Sequence, residues 1–209
     1  VKPDPTDSAT GIVEYVDFLD EYHEKYDTSK VCHDISGGPD SALALYLHIH
    51  YTKTRNISTQ FFSYSDYPKN RKGISSDRYF NVILYFEGLI IPFIQGLNYN
   101  KDFMAIRRGL VEKWKKQNNI TAPHISGVTM CPSKKEQEKY NFPDWIYDNR
   151  LKPNKKPGRI FYNMNKRDVY KLYLEHDIID LWDITVSCSH DIACRKCWHC
   201  VEREWAESL

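Results

Sequence analysis

The sequence predicts an α/β fold with a doubly wound, mainly parallel sheet. Three observations support this prediction. Segments with a strand-like pattern alternate with segments of helical periodicity. A glycine-rich turn joins the first predicted strand directly to a largely apolar helix. The length of 209 residues and the hydrophobic content of 41% suffice for one sizeable core, alone or with an appended module.

The first half of the chain predicts two helices and two strands in alternation. Residues 11–26 carry apolar side chains at helical spacing, and a short extended segment follows at residues 30–35. Beyond the glycine turn, residues 40–51 show the pattern of a largely buried helix. Residues 57–64 are rich in β-branched and aromatic side chains, so we expect the second strand there.

The second half continues the alternation less regularly. Helical patterns cover residues 77–89 and 102–117, whereas the apolar run 90–97 between them is compatible with a strand or a helix. A further strand is predicted at residues 124–130. The clearest helix begins at Asn165, a residue type that caps helices, and continues to His176. Residues 183–187 are predicted to be extended.

Composition and charge exclude two classes of protein. A net charge of +1 argues against binding of nucleic acid over the whole surface, although a local basic patch is compatible with it. No run reaches the roughly 18 consecutive apolar residues of a membrane span, and the N-terminus shows no signal-peptide pattern. We therefore expect a soluble, cytoplasmic protein.

The glycine turn has the sequence Ser36-Gly37-Gly38-Pro39-Asp40-Ser41. Glycines allow a close approach of the backbone to a ligand, and the helix that follows offers unpaired N–H groups and the positive end of its dipole. These features favour an anion, to which the two serines can add hydroxyl donors. Asp40 could hold Mg²⁺ or orient the loop. The alternative is an ordinary strand-to-helix turn with Asp40 as the helix cap.

The hexapeptide resembles the SGGxDS signature of the PP-loop ATP pyrophosphatases, and the order of elements extends the resemblance over residues 30–187. In that family the loop binds the pyrophosphate portion of ATP while a substrate carbonyl oxygen is adenylated. The resemblance implies an adenine nucleotide alpha hydrolase-like fold, with ATP and Mg²⁺ at Ser36, Gly37, Gly38, Asp40 and Ser41. One departure is the polar run Cys32-His33-Asp34 in the preceding strand, from which we expect a short strand or an edge strand.

A second motif consists of four cysteines near the C-terminus: Cys188, Cys194, Cys197 and Cys200. Two overlapping C-x-x-C steps place thiolates on one tight turn, and the first cysteine completes a tetrahedral set. Such a set suits structural Zn²⁺. An iron–sulfur cluster and a redox-active C-x-x-C pair are the alternatives. Cys32 and Cys131 stand apart and are predicted to be small core residues.

The two motifs together resemble the 7-cyano-7-deazaguanine synthase family, in which the cysteines bind zinc beside the active site. The run Thr185-Val186-Ser187-Cys188 and the pair Asp66-Tyr67 match parts of the family's motifs. The resemblance implies an ATP-dependent ligase that uses ammonia and a deazapurine, and a homodimer. It assigns catalytic roles to Asp40 and Lys166, and substrate contacts to Asp66, Tyr67 and Arg203. Pro68, Lys69 and Arg195 depart from the family's pattern.

These motifs divide the chain into an N-terminal helical extension (residues 1–29), an ATP-binding domain (30–187) and a zinc knuckle with a C-terminal helix (188–209). Two rival hypotheses remain. A PP-loop enzyme that thiolates or otherwise modifies tRNA would use the basic and aromatic segment 131–159, whose other interpretation is a solvated loop pinned by its aromatic residues. A non-catalytic zinc-binding partner protein would keep only the fold. The basic residues of helix 102–117, Arg107 among them, are expected on a solvated face.

Overall fold

The computed structural model describes residues 11–69, 77–98, 100–143, 152, 155–188 and 193–209, with only the backbone described at residues 11–14 and 68. Within these residues the strands are β1 (Lys30–Asp34), β2 (Gln60–Pro68), β3 (Ile90–Leu97) and β4 (Ile125–Ser126). The helices are α1 (Gly11–Lys25), α2 (Pro39–Thr54), α3 (Asp77–Tyr85), α4 (Phe103–Gln117), α5 (Lys134–Lys139), α6 (Lys166–Glu175), α7 (Ile179–Asp183) and α8 (Trp198–Glu207). None of the described helices combines the length and the hydrophobicity that a membrane span requires.

The described strands form one parallel sheet in the order β3-β2-β1-β4. Alternate residues of a strand face opposite sides of the sheet, and helices cover both sides. Val31 and Phe61 belong to the core that contains residues of α1, α2 and α6, whereas Cys32 and Phe62 pack with Trp114 of α4. This arrangement confirms the predicted doubly wound α/β fold.

The strand β1 lies inside the sheet, between β2 and β4. The expected edge position is therefore wrong, although the strand is short, as predicted, with five residues. Cys32 and His33 are both fully buried. A polar residue is tolerated there because His33 finds a hydrogen-bonding partner in His48 of α2, and because Asp34 lies at the very end of the strand.

Backbone pairing determines the conformation of the two segments whose periodicity in the sequence is ambiguous or weak. Residues 90–97 form β3 and pair with β2 in parallel along their whole length. The strand predicted at residues 124–130 contains only Ile125 and Ser126. The chain leaves the sheet at Gly127, where a Cβ atom would lie 2.2 Å from the carbonyl oxygen of Asp40. The close approach to the start of α2 therefore ends this strand early.

Two further sequence predictions differ from the structure, each for an identifiable reason. The helix predicted at residues 77–89 ends at Tyr85, and Gly88, with a φ of +76°, turns the chain into β3. The extended structure predicted at residues 183–187 is wrong. Asp183 is the last residue of α7, and the N–H group of Thr185 donates back to the carbonyl of Trp182 at 3.0 Å.

The C-terminal helix α8 contributes to the main core. Trp205 and Ala206 are buried there together with Tyr173 of α6 and Trp182 of α7. Trp182 also donates from Nε1 to Glu207 at 2.7 Å. The end of the chain is therefore fixed against the helices that follow the sheet, and this contact positions the cysteines at the start of α8.

A hydrogen-bonded chain of three histidines, of which His33 and His48 are fully buried, links α1, α2 and β1. His48 Nε2 lies 2.8 Å from His23 Nε2, and His48 Nδ1 lies 3.0 Å from His33 Nε2. Thr28 Oγ1 lies 2.8 Å from His23 Nδ1 and completes the chain. Burial lowers the pKa of His33 to about 3 and also lowers the pKa values of His48 and His23. The histidines are therefore neutral in the folded protein at pH 7.

We expect the protein to lose stability as the pH falls below about 6.5, where histidines of the unfolded chain take up protons. Because His33 and His48 stay neutral in the folded state, the unfolded state binds more protons in this range. The free energy of unfolding should have its full value above this pH. Below it, each of the two histidines should lower the free energy of unfolding by about 1.4 kcal/mol per pH unit. Urea unfolding at several pH values measures the slope. His33→Leu should reduce it, the exposed His50→Gln should not, and an unchanged slope in His33→Leu would contradict the assignment.

Candidate anion-binding site and metal centre

The glycine turn is a compact loop between the end of β1 and the start of α2. Ser41 Oγ accepts from the N–H group of Ser36 at 3.1 Å and donates to the carbonyl of Gly38 at 2.9 Å. Ser36 Oγ accepts from the N–H group of Gly38 at 3.3 Å. These bonds hold the loop in shape at the N-terminus of the 16-residue helix α2, where unpaired N–H groups and the helix dipole favour an anion.

Glycine is required at two positions around this loop. Gly37 has a φ of +75°, and a Cβ atom there would lie 2.9 Å from the carbonyl oxygen of Arg78. Gly127, which the sequence did not single out, leaves no room for a Cβ atom beside the backbone of Asp40. Gly38 has an extended backbone with a φ of −91° and lines the cavity described below. The loop is thus packed tightly against α3 on one side and residue 127 on the other.

Asp40 and Lys166, the two predicted catalytic residues, form an ion pair beside the loop. Lys166 Nζ lies 2.5 Å from Asp40 Oδ2, and Thr129 Oγ1 donates to the same oxygen at 3.5 Å. The side chain of Lys166 is 5% exposed and that of Asp40 is 19% exposed. The second carboxylate oxygen of Asp40, Oδ1, is buried and has no hydrogen-bonding partner among the residues that the structure describes. This oxygen is the free acceptor through which Asp40 could bind a cation.

A cavity of about 450 Å³ opens above the loop, which is within the size range of small-molecule sites. It is lined by the glycine turn, Asp34, Asp66, Arg78, Tyr79, Phe103, Gly127, Lys166 and, on the C-terminal segment, Val186, Ser187, Cys188 and His199. The cavity lies at the carboxyl ends of β1 and β2, where open α/β sheets bind ligands. It brings residues of the glycine turn together with Lys166, Asp66 and Cys188.

A network of ion pairs fixes the carboxylates at the strand ends. Arg107 of α4 donates from Nη2 to Asp34 at 2.5 Å and from Nε to Asp66. Burial nevertheless raises the pKa of Asp66. Arg107 is therefore part of the site and does not lie on a solvated face, where its position in a run of basic residues had placed it. Tyr67 is not among the residues that line the cavity, and its ring packs 6.3 Å from that of Tyr79.

Arg203 lies apart from the glycine turn. It donates from Nη1 to the carbonyl of Thr185 at 2.9 Å, from Nη2 to the carbonyl of Trp182 at 2.9 Å and from Nε to Glu207 at 3.0 Å. It lines a separate cavity of about 370 Å³ behind residues 185–188. Among the described residues its contacts attach α8 to the end of α7, which is a structural role.

The four cysteines converge on one point, with their Sγ atoms all within 4.8 Å of one another. Cys188 and Cys197 are separated by 3.8 Å, and Cys194 and Cys200 by 3.9 Å. A tetrahedral zinc ion with Zn–S bonds of about 2.3 Å separates its ligands by about 3.8 Å, so these residues fit a single ion. In a four-iron cluster each cysteine binds a different iron atom, and the sulfurs lie farther apart.

Local backbone conformation shapes this cysteine cluster. Arg195, at a position where the deazaguanine synthase family prefers glycine, has a φ of +57°. The N–H groups of Lys196 and Cys197 lower the pKa of the Cys194 thiol to about 6. Burial raises the pKa of Cys200 to about 12. The turn thus directs backbone donors at one thiolate, as a metal site with several negative ligands requires.

Two contacts attach the cysteine cluster to the glycine turn. The N–H group of Val186 donates to the carbonyl of Gly37 at 2.9 Å. Arg78 of α3 donates to the carbonyls of Cys188 and Val186 at 3.1 and 3.0 Å. The segment that leads to the first cysteine therefore lies directly against the glycine turn. Arg78 carries no recognisable sequence signal for this role, because a single arginine near the start of a helix is common.

Where the structure describes it, the basic and aromatic segment 131–159 packs against residues of α6 and α8. Phe142 packs 4.8 Å from the ring of Trp198, and Tyr140 accepts from Arg167 at 3.2 Å. Arg167 also donates to the carbonyl of Trp205 at 3.0 Å, so it clamps α8 and does not face the glycine turn. These contacts favour the interpretation as a pinned loop. Trp145, Tyr147, Arg150 and His190 lie outside the described residues.

No protein-family model and no curated protein matches the sequence. Among solved structures, the fold is similar to that of the U34-tRNA thiolase NcsA from Methanococcus maripaludis, a structure that contains its 4Fe–4S cluster. The TM-score is 0.56 and the sequence identity 14%, over 94% of this chain and 70% of NcsA. At this identity the likeness establishes the fold, and the chain shares the α/β architecture of that enzyme.

Proposed function

We propose that the chain is an ATP-dependent enzyme of the PP-loop pyrophosphatase type that activates a carbonyl oxygen of a nucleic-acid base, with tRNA as the substrate class. The observation that carries the proposal is the single cavity shared by the anion-binding loop, the Asp40–Lys166 pair and the cysteine cluster. The likeness to a tRNA thiolase supports a nucleic-acid substrate over a free deazapurine.

The chemistry assigned to these residues is adenylation followed by substitution. The base oxygen attacks the α-phosphate of ATP, pyrophosphate leaves, and a nucleophile such as sulfide then displaces AMP from the base carbon. The N–H groups at the start of α2 and the Lys166 ammonium are placed to stabilise the phosphates. Asp40 Oδ1, for which the described part of the chain provides no hydrogen-bonding partner, is available to Mg²⁺ bound with the nucleotide.

We propose zinc as the metal of the cysteine cluster. The spacing of the four sulfurs suits one ion that all four thiolates bind, which leaves no open coordination position. Such an ion supplies structural support by fixing residues 185–188 against the glycine turn. The sulfide of the thiolation reaction must then come from outside the chain, because this closed site offers no position for it.

Conversion of 7-carboxy-7-deazaguanine to 7-cyano-7-deazaguanine with ammonia is the second candidate function. The closed four-cysteine site beside the cavity favours it, because that arrangement is what the resemblance to the synthase family implies. Asp66 also lines the cavity, as that resemblance requires. Both candidates use the same ATP chemistry and differ in the acceptor.

The release of AMP and pyrophosphate from ATP and Mg²⁺ separates the candidates. The purified chain is incubated with unmodified tRNA and sulfide, with the deazaguanine acid and ammonium, or without an acceptor. We expect AMP to form in the tRNA arm, and not with Asp40→Asn. AMP formation only with the deazaguanine acid would establish the second candidate. No AMP in any arm, together with a bound zinc ion, would favour the non-catalytic partner protein.

A further inference from the structure

Lys166 has a second acidic partner that comes from the C-terminal helix. Glu202 Oε2 of α8 lies 3.9 Å from Lys166 Nζ, whereas the shorter contact of Lys166 is with Asp40 of α2. The side chain of Glu202 is 2% exposed and that of Lys166 is 5% exposed. A carboxylate is rarely buried this completely unless a cation compensates it.

The unequal distances suggest what the second carboxylate does. An ammonium group has three N–H donors and can exchange one acceptor for another by a small rotation of its side chain. While Lys166 is bound to Oδ2 of Asp40, its positive charge lies beside Oδ1, the oxygen of the same carboxylate that a nucleotide-bound Mg²⁺ would use. If Asp40 turns toward a cation, one donor of Lys166 loses its carboxylate, and a second carboxylate can take that donor and keep the ammonium beside the phosphates that accept from its other donors. Glu202 is within reach for this exchange.

Glu202 is held in place from both ends of its helix. Two residues before it, Cys200 belongs to the cysteine cluster, and three residues after it, Trp205 is buried in the main core. The position of Glu202 therefore depends on the same packing that places the metal site beside the glycine turn. A residue of the C-terminal segment can in this way influence a lysine that lies at the nucleotide loop.

We propose that Glu202 is a positioning residue that receives the Lys166 ammonium when Asp40 binds the cation that accompanies the nucleotide. The proposal rests on the proposed ATP-dependent function and adds a residue to its machinery. It predicts that Glu202 affects the Mg²⁺-dependent part of nucleotide binding, since without it Lys166 remains on Asp40 and competes with the cation.

The test is a calorimetric titration with ATP at several Mg²⁺ concentrations for Glu202→Gln. The matched control is Glu204→Gln, which removes the same charge from an exposed position on the same helix. We expect the Mg²⁺ concentration for half-maximal ATP binding to rise about tenfold in Glu202→Gln and to stay unchanged in the control. Binding of ATP without Mg²⁺ should be the same in all three proteins.

Three further outcomes are decisive. Equal weakening with and without Mg²⁺, or a loss of zinc in Glu202→Gln, would mean that Glu202 only supports the fold and would overturn the proposal. Glu202→Asp, which keeps the charge on a shorter side chain, should restore part of the Mg²⁺ response; no restoration would also count against it. Absence of ATP binding by the unaltered chain would refute the proposed function itself, which is a separate result.

Discussion

Cys197→Ser is expected to abolish binding of the proposed zinc ion and to lower the free energy of unfolding by about 4 kcal/mol. The four sulfurs lie within 4.8 Å of one another, so the variant would lack one of the four thiolates that could bind the ion. Cys197 is also the N-cap residue of α8, whose Trp205 is buried in the main core. Elemental analysis should find about one zinc ion per unaltered chain and little in the variant, and urea unfolding measures the loss of stability.

Cys131→Ser provides the matched control, because Cys131 is buried but lies outside the cluster. Its zinc content should equal that of the unaltered protein. A chelator should lower the unfolding temperature of the unaltered protein and leave that of Cys197→Ser unchanged. Full zinc content in Cys197→Ser would show that the site does not need this thiolate. Iron with a visible charge-transfer band in the unaltered protein would replace zinc by a cluster, as in the thiolase neighbour.

The parts of the site that the sequence predicts are those in which neighbouring residues act together. The glycine turn and the two C-x-x-C steps are short segments whose chemistry depends on local spacing, so Gly37, Asp40 and Cys197 could be named as candidates without a structure. The fold class can be predicted for the same reason, because the alternation of strands and helices follows from patterns among neighbouring residues. The position of β1 inside the sheet could not be predicted, since strand order depends on contacts between distant segments.

The residues that the sequence misses come from distant elements and resemble ordinary surface residues. Arg107 stands in a run of basic residues on α4, and only the fold shows that its guanidinium spans Asp34 and Asp66. Glu202 is one of several charged residues on α8, and its burial beside Lys166 has no signal in the local pattern. For Arg203 the sequence suggested more than the structure shows. Its place after the cysteines suggested a substrate contact, whereas its N–H groups donate to backbone carbonyls and to Glu207.

Lys166→Met is expected to reduce AMP formation at least about a hundredfold and to lower the free energy of unfolding by about 3–5 kcal/mol. The ammonium lies 2.5 Å from Asp40 and 3.9 Å from Glu202, and both carboxylates are largely buried. Its removal takes away the ammonium that lies between the carboxylates of Asp40 and Glu202. Urea unfolding at pH 7 measures the stability, and the exposed Lys135→Met is the control for the change of residue type.

A double variant identifies the cause of this loss. Lys166→Met combined with Glu202→Met replaces a buried ion pair by apolar side chains and should recover part of the stability. It should recover none of the AMP formation, because the Lys166 ammonium is still absent from the glycine turn. No recovery of stability in the double variant would mean that Lys166 acts through packing alone.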